Sequence, residues 1–166
     1  MRSAYLAVLP LLLTSPTFAS EQSLTLVAKL IGGLSDGGET LMGSLGKGTV
    51  AMKGEGVFEL TFSKGVATFL YDQPDTCVFT QHSQMEGEPT SDARVDFTKV
   101  TGVEIRDQGK WEGLNAALVT FTGPDDMLQV MLGDKLVNQV PAFAFLATSM
   151  PVAELQAAAD ELQRIC

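Results

Sequence analysis

The chain has 166 residues, and its 20 aspartates and glutamates against 11 lysines and arginines give a formal net charge of −9. This acidic balance argues against a partner that is nucleic acid or an anionic membrane surface, because both bind through basic patches that neutralise phosphate. Hydrophobic residues make up 45% of the chain, which is enough to bury one substantial core, so a single domain is expected.

The N-terminal residues have the pattern of a secretory signal peptide. A positive charge at Arg2 precedes an apolar run over residues 4–13, and small residues follow up to a cleavage box at residues 17–19. The apolar run is too short for a membrane anchor, since crossing the hydrocarbon core takes about 20 residues. We therefore predict that residues 1–19 are removed, and that the mature protein is exported to a periplasmic or extracellular compartment without a transmembrane segment.

The chain contains two cysteines, Cys77 and Cys166. A small, even number of cysteines in an exported protein is typical of a structural disulfide. A metal-binding or redox pair would place the two cysteines close together, as in C-x-x-C. The sequence therefore predicts a Cys77–Cys166 disulfide and no cofactor.

The segment that precedes residue 57 differs in composition from the rest of the chain. Residues 23–31 fit either a strand or the start of a short helix, and so short a segment cannot decide between them. Nine of the 25 residues from Gly32 to Gly56 are glycine, which loses more backbone entropy on ordering than any other residue. We predict that residues 20–56 form an N-terminal segment with a glycine-rich, irregular arm, containing at most a short strand near residues 49–53.

Residues 57–166 are predicted to form an antiparallel β-domain. Apolar and polar residues alternate over residues 57–62, as in a half-buried strand, and turn residues at 63–65 predict a hairpin with the next strand. Residues 107–110 are predicted to form a further turn. Later strands are predicted at residues 66–71, 76–81, 93–98, 102–106 and 114–121. This spacing indicates a mainly β (α+β) fold with an antiparallel meander or sandwich-like sheet.

The C-terminal part combines one ambiguous segment with one clear helix. Residues 127–140 fit a helix, through a capping box that begins at Asp126, or a hairpin that turns at residues 133–135, and we favour the hairpin. After Pro151, apolar residues recur at helical spacing, which predicts an amphipathic helix packed on the sheet. These residues are Val152, Leu155, Ala159, Leu162 and Cys166. The predicted disulfide would clamp the end of this helix to the strand that carries Cys77.

A G-x-S-x-G sequence at residues 33–37 makes Ser35 a candidate nucleophile. The only histidine, His82, together with Asp72 or Asp75, would complete the chain order Ser, Asp, His. A nucleophile elbow needs a strand before the serine and a helix after it, and the glycines that follow Ser35 argue against that helix. A hydrolase that uses Ser35 or a pair of carboxylates is therefore kept as an alternative, and no catalytic residue is predicted.

A phosphate-binding loop is incomplete in this chain. Residues 43–49 contain a Gly-Lys pair, but Leu41 and Gly48 stand where the motif requires a glycine and a serine or threonine. Nucleotide binding is therefore not predicted.

The candidate metal ligands also lack a convincing pattern. His82 and Met85 could hold copper, but a lone histidine beside a strand is more typical of an ordinary surface residue. Glu86, Glu88 and Asp92 lie in a polar stretch that lacks the spacing of a calcium-binding loop. We predict no metal site.

Trp111 follows the turn predicted at residues 107–110, and of its two possible placements we favour the one folded onto the sheet edge, because tryptophan is usually mostly buried. An exposed tryptophan would mark a binding surface, whereas a tryptophan folded onto the sheet edge would be structural.

The sequence as a whole favours an exported, non-enzymatic binding or interaction module, whose protein or small-molecule partner it does not identify. The preference rests on motifs that are missing, and enzymes on uncommon folds leave no local signature. The alternatives are the hydrolase described above and a structural component of the cell envelope.

Overall fold

The computed structural model describes residues 21–85, 87–138 and 143–166, so the predicted signal peptide lies outside it. Within these residues, eleven strands form one antiparallel sheet, accompanied by two α-helices, which confirms the mainly β fold with a C-terminal helix. The strands are β1 Glu39–Met42, β2 Gly46–Gly54, β3 Val57–Phe62, β4 Gly65–Asp75, β5 Val78–Met85, β6 Ser91–Asp96, β7 Gly102–Trp111, β8 Leu114–Thr122, β9 Leu128–Leu132, β10 Lys135–Asn138 and β11 Phe143–Thr148. The helices are α1 Glu21–Val27, which continues into a π-helical turn at Ala28–Gly32, and α2 Val152–Ile165; a 3-10 turn covers Gly43–Leu45.

The strand order in the sheet is β10-β9-β6-β5-β4-β3-β2-β1-β11-β8-β7. Strands β1 to β6 form a continuous meander. This is the arrangement expected for strands that follow one another along the chain and are joined by short turns. The chain then crosses to the other edge for β7 and β8, returns to place β9 and β10 beside β6, and crosses again so that β11 lies between β1 and β8. The edges of the sheet are therefore β7 and β10.

Alternation along the strands decides which face of the sheet is buried. On β3 and β4 the apolar side chains of Phe58, Leu60, Phe69 and Tyr71 are buried, and the residues between them point to the other face. We call the buried face inner and the opposite face outer. Aromatic rings pack edge to face in the core, with centroids 5.8 Å apart for Phe58 and Tyr71.

The helices close one end of the inner face. Leu155, Ala158, Ala159 and Leu162 form the buried stripe of α2, as its periodicity predicts. On α1, Ser23 donates a hydrogen bond of 3.2 Å to the Gln73 side chain near the C-terminal end of β4. No helix in the described part of the chain is long and apolar enough to cross a membrane.

The predicted Cys77–Cys166 disulfide is confirmed. Cys77 is buried and lies in the turn between β4 and β5 rather than in a strand, with a φ of 56°. Cys166 follows the last helical residue and is exposed, so it does not continue the buried stripe of α2 as expected. The helix ends one residue before the cysteine, and the bond ties that end to the β4–β5 turn.

The predicted loop over residues 32–56 is wrong for most of its length, because β1 and β2 form there and lie in the middle of the sheet. At Gly48 on β2, an added Cβ would lie 2.5 Å from two ring carbons of Phe62. Glycine is therefore required here by a close approach of neighbouring strands and not by a flexible loop. The segment at residues 23–31, for which strand and helix were both open, is helical.

The turn predicted at residues 107–110 is also wrong. These residues lie inside β7, where the pairing with β8 shifts between Asp107 and Gly109, as at a β-bulge. Gly109 has a φ of 79°, a left-handed conformation that glycine adopts readily at a bulge. The chain reverses instead at Glu112 and Gly113. The hairpin favoured for residues 127–140 is confirmed as β9 and β10 over residues 128–138; residues 139 and 140 lie outside the described part.

Candidate functional site

The strand register brings four side chains into one row on the outer face. Val57 on β3 pairs with Leu70 on β4, Leu70 pairs with His82 on β5, and His82 pairs with Asp92 on β6. Directly opposed residues share a face of the sheet. Two apolar and two ionisable side chains from four strands therefore lie side by side.

Within this row, His82 lies between two carboxylates. Its Nδ1 is 2.9 Å from an oxygen of Asp92, and its Nε2 is 3.2 Å from an oxygen of Asp72, which follows Leu70 on the same face of β4. A ring that donates from both nitrogens is the protonated imidazolium, which carries one positive charge between the two negative ones. We call Asp72, His82 and Asp92 the histidine cluster.

The cluster shifts the ionisation of its histidine. Partial burial lowers the pKa of His82, but the hydrogen bonds to Asp92 and Asp72 and their negative charges outweigh it, so the pKa is raised above its ordinary value of 6.5. Among the described residues, the second oxygen of Asp72 is buried and has no hydrogen-bond partner, although the Asp72 side chain as a whole is half exposed. A donor supplied by water or by a ligand would satisfy that oxygen.

The row lines a pocket of about 470 Å³ on the outer face. Val57 and Leu70 provide its apolar surface, and Leu70 is 40% exposed. The complete lining is Val57, Thr68, Leu70, His82, Ser83, Gln84, Thr90 and Asp92. Small-molecule sites measure roughly 300–1,000 Å³ and combine apolar walls with a few convergent polar groups, so this pocket, which we call the outer pocket, has suitable size and chemistry.

A second cavity of about 270 Å³ lies on the inner face of the same strands. We call it the inner pocket; its lining includes Met42 of β1, Ala67 and Phe69 of β4, and Met85 of β5. Leu70 lines the outer pocket and the adjacent Phe69 lines the inner one, because successive side chains on a strand point to opposite faces.

Ser35 lies apart from the histidine cluster. It follows the π-helical turn, whose C-terminal end is capped by Gly33 in the left-handed conformation, and it precedes β1, so helix and strand come in the reverse order of a nucleophile elbow. Its carbonyl accepts a hydrogen bond of 3.0 Å from Gly38, in the turn that enters the sheet. The structure therefore brings His82 together with Asp72, one of its proposed triad partners, but not with Ser35.

The metal candidates are separated by the same alternation. His82 lies on the outer face, whereas Met85, three residues further along β5, lines the inner pocket. In the histidine cluster each ring nitrogen already faces a carboxylate oxygen, so a metal ion would have to displace one of these contacts to bind the ring. No cluster of three or more metal-ligating side chains occurs in the described residues, and Glu86 lies outside them.

Trp111 is 53% exposed at the end of edge strand β7. Its ring packs edge to face on Phe145 of β11, with centroids 5.9 Å apart, and Phe145 is itself half exposed. The tryptophan therefore packs on a neighbouring ring and is also accessible to solvent. Its position is intermediate between the exposed and the folded placement considered from the sequence.

Sequence reasoning paired His82 with Asp72 in a possible triad but did not join Asp92 to them. It weighed Asp72 as a triad member and Asp92 as a calcium ligand, and it did not consider Val57 or Leu70 as ligand contacts. The signal available was the two-residue period, which puts Leu70 and Asp72 on one face of β4. The two-residue period does not predict which strands pair with one another, so the contact between the three side chains could not be predicted from it.

Comparison with protein-family models, with curated proteins and with solved structures finds no match to this chain. The functional proposal therefore depends on the chemistry of the pockets.

Proposed function

We propose that the protein is an exported, non-enzymatic binding module that takes a small organic ligand in the outer pocket. The observation that carries the proposal is the row from Val57 to Asp92, which sets an apolar surface beside the histidine cluster. Such a site binds the apolar part of a ligand on Val57 and Leu70 and orients its polar end by hydrogen bonds to the cluster.

The geometry of His82 supports binding over catalysis. A general base needs a ring nitrogen directed at the proton that it removes, and both nitrogens of His82 are directed at carboxylates. Ser35, the candidate nucleophile, is held in a turn outside the cluster.

The disulfide supports the proposed export. Structural disulfides persist in oxidising compartments and are rare in the cytosol, and Cys77–Cys166 joins residues 89 positions apart. The predicted signal peptide is consistent with the same compartments.

A ligand screen followed by NMR tests the proposal. The chain without residues 1–19, labelled with ¹³C at its methyl groups and ¹⁵N at its histidine, would be titrated with neutral, cationic and anionic fragments. We expect binding fragments to shift the methyl signals of Val57 and Leu70 together with the ring signals of His82. Fragment signals that map elsewhere, or a complete screen without a shift at these three residues, would contradict the proposal.

Two matched leucine variants make the test specific. Leu70→Ser should weaken fragment binding roughly tenfold, because an apolar contact of ~1.5 kcal/mol is lost. Leu136→Ser removes a similarly exposed leucine from β10, outside the pocket lining, and should leave the affinity unchanged. Equal weakening by both variants would point to non-specific adsorption.

A serine variant separates binding from hydrolysis. Ser35→Ala should leave fragment affinity and the His82 signals unchanged, because Ser35 does not contribute to the outer pocket. An ester-cleaving activity that is present in the protein and lost in Ser35→Ala would favour the hydrolase instead.

A further inference from the structure

In the part of the chain that the structure describes, the helices close one end of the inner face of the sheet. Ser23 of α1 meets Gln73 near the C-terminal end of β4, and the end of α2 is tied to Cys77 just beyond β4. Ala67 lies near the other end of β4 and lines the inner pocket. The helices thus cover the core at one end of the strands, and the inner pocket lies at the opposite end.

The walls of the inner pocket come in part from strands that are not neighbours in the sheet. Met42 on β1 lies with Ala67 and Phe69 of β4 around the same cavity, although β2 and β3 separate β1 from β4 in the sheet. Met42 and Met85 are half-buried and pack against the main core. The pocket is therefore an extension of the hydrophobic core towards solvent.

The two serine hydroxyls in the wall of the inner pocket pair with each other. The hydroxyl oxygens of Ser83 and Ser91 are 2.6 Å apart, and Ser83 donates to the Ser91 carbonyl over 3.0 Å. When Ser91 donates to Ser83, both hydroxyl protons are used within the wall. A ligand in this cavity therefore needs no polar group to pair with these serines.

A neighbouring cavity makes the site elongated. A space of about 210 Å³, lined by Leu45, Lys64, Gly65, Val66 and Met85, shares Met85 with the inner pocket. Methionine is unbranched and has three rotatable bonds, so movement of Met85 can join the two spaces. A linear ligand fits such a path better than a compact one.

We propose that the inner pocket binds a single unbranched aliphatic chain, separately from the ligand of the outer pocket. An apolar cavity of about 150 Å³ is large enough for benzene, so the inner pocket has room for a chain of medium length. Gln84, Glu88 and Pro89 lie in the polar stretch at its rim, where the head group of the ligand would meet solvent. Fatty acids and fatty alcohols both supply this chain, and the experiment separates them.

Methionine-methyl NMR tests the proposal on the folded chain without residues 1–19. Decanoate, decanol and the short control butanoate would each be titrated below their aggregation limits. Saturable shifts are expected at Met42 and Met85 with a ten-carbon probe, while Met52 and Met131, which line neither cavity, stay unchanged. Decanoate should bind at least about tenfold more tightly than butanoate, because each added methylene leaves water.

The same titrations show whether the site prefers a carboxylate or a hydroxyl head group. Binding of both ten-carbon probes supports a site for the chain alone, and binding of only one supports a chain site with a preference for that head group. Failure of both to shift Met42 and Met85 would overturn the proposal, as would equal affinities for butanoate and decanoate.

Matched alanine variants link the shifts to the cavity. Ala67→Leu fills the pocket and should weaken decanoate binding at least about tenfold, because the chain is excluded from its apolar walls. Ala51→Leu makes the same change on β2, opposite Glu59 and outside both linings, and should bind as the wild type does.

Met85→Gln at the junction of the two cavities provides a second test if Ala67→Leu does not fold, and should also weaken decanoate binding. Wild-type affinity in either folded pocket variant would overturn the proposal. The His82 ring signals monitor the outer pocket independently, so failure of one site is distinguishable from failure of the other.

Discussion

The outer and inner pockets lie on opposite faces of the same two strands and differ in chemistry. Leu70 and His82 face outwards beside two carboxylates, while the adjacent Phe69 and Ser83 face the inner pocket, where the serine hydroxyls are paired. Ser83 and the adjacent Gln84 line both pockets. Because the side-chain period of a strand is two, one stretch of chain supplies a charged surface and an apolar cavity together.

The two faces also differ in what they contribute to stability. The histidine cluster is exposed enough that water and salt weaken its charge interactions. The inner face belongs to the continuous core, where loss of a side chain leaves a cavity. Substitutions in the outer pocket should therefore alter binding with little effect on stability. Substitutions in the inner pocket should affect the stability of the fold as well.

Removal of the disulfide should have the largest effect, and it should act on the helix-covered end of the core. Cys77→Ser with Cys166→Ser is expected to lower the free energy of unfolding by about 4–5 kcal/mol in the chain-entropy model for a loop of this size. Urea denaturation measures the loss, and hydrogen exchange should show faster opening of α2. Because the histidine cluster is formed within β4, β5 and β6, its ring shifts should persist in the folded fraction. Loss of the His82 ring shifts while α2 is still protected from exchange would contradict this expectation.

Truncation of two adjacent side chains should show directly that the two faces contribute differently to stability. Phe69→Ala should cost about 3–5 kcal/mol, because a buried ring is removed from the core. Leu70→Ala should cost less than about 1 kcal/mol, because its side chain is already partly exposed. Urea unfolding of both variants under one condition provides the comparison, and similar losses would contradict the assignment of the two faces.

The pH dependence of the histidine cluster should be the smallest effect. The pKa of His82 is raised in the folded protein, so its stabilising contribution is fully present below the unfolded value of 6.5 and is lost as the pH rises through the folded value. The stability difference between the wild type and His82→Gln should therefore shrink with rising pH, and it should stay below about 1 kcal/mol because the cluster is exposed.

NMR titration of the His82 ring checks the direction of this shift. The groups that face the ring are Asp92 and Asp72, and Arg94 lies two residues beyond Asp92 on β6. A midpoint below 6.5, or a stability difference that grows with pH, would show that desolvation outweighs the carboxylates.

Local patterns predicted most of the strands but misjudged two glycine-containing segments. The alternation at residues 57–62 was sufficient because one face of β3 is buried, and the apolar run at residues 114–121 also marked a strand. Gly48 and Gly109 were misleading because glycine also occurs where strands approach closely or where a bulge interrupts the pairing. Glycine composition by itself does not distinguish these uses from a loop.

The sequence by itself determined the alternating strands, the amphipathic stripe of α2 and the pairing of its two cysteines, because each depends on local periodicity or on the number of thiols. The tertiary structure alone decided the position of β1 and β2, the contact of His82 with Asp72 and Asp92, and the two pockets. These features depend on the order of the strands and on the register between them, which bring together side chains that are distant along the chain.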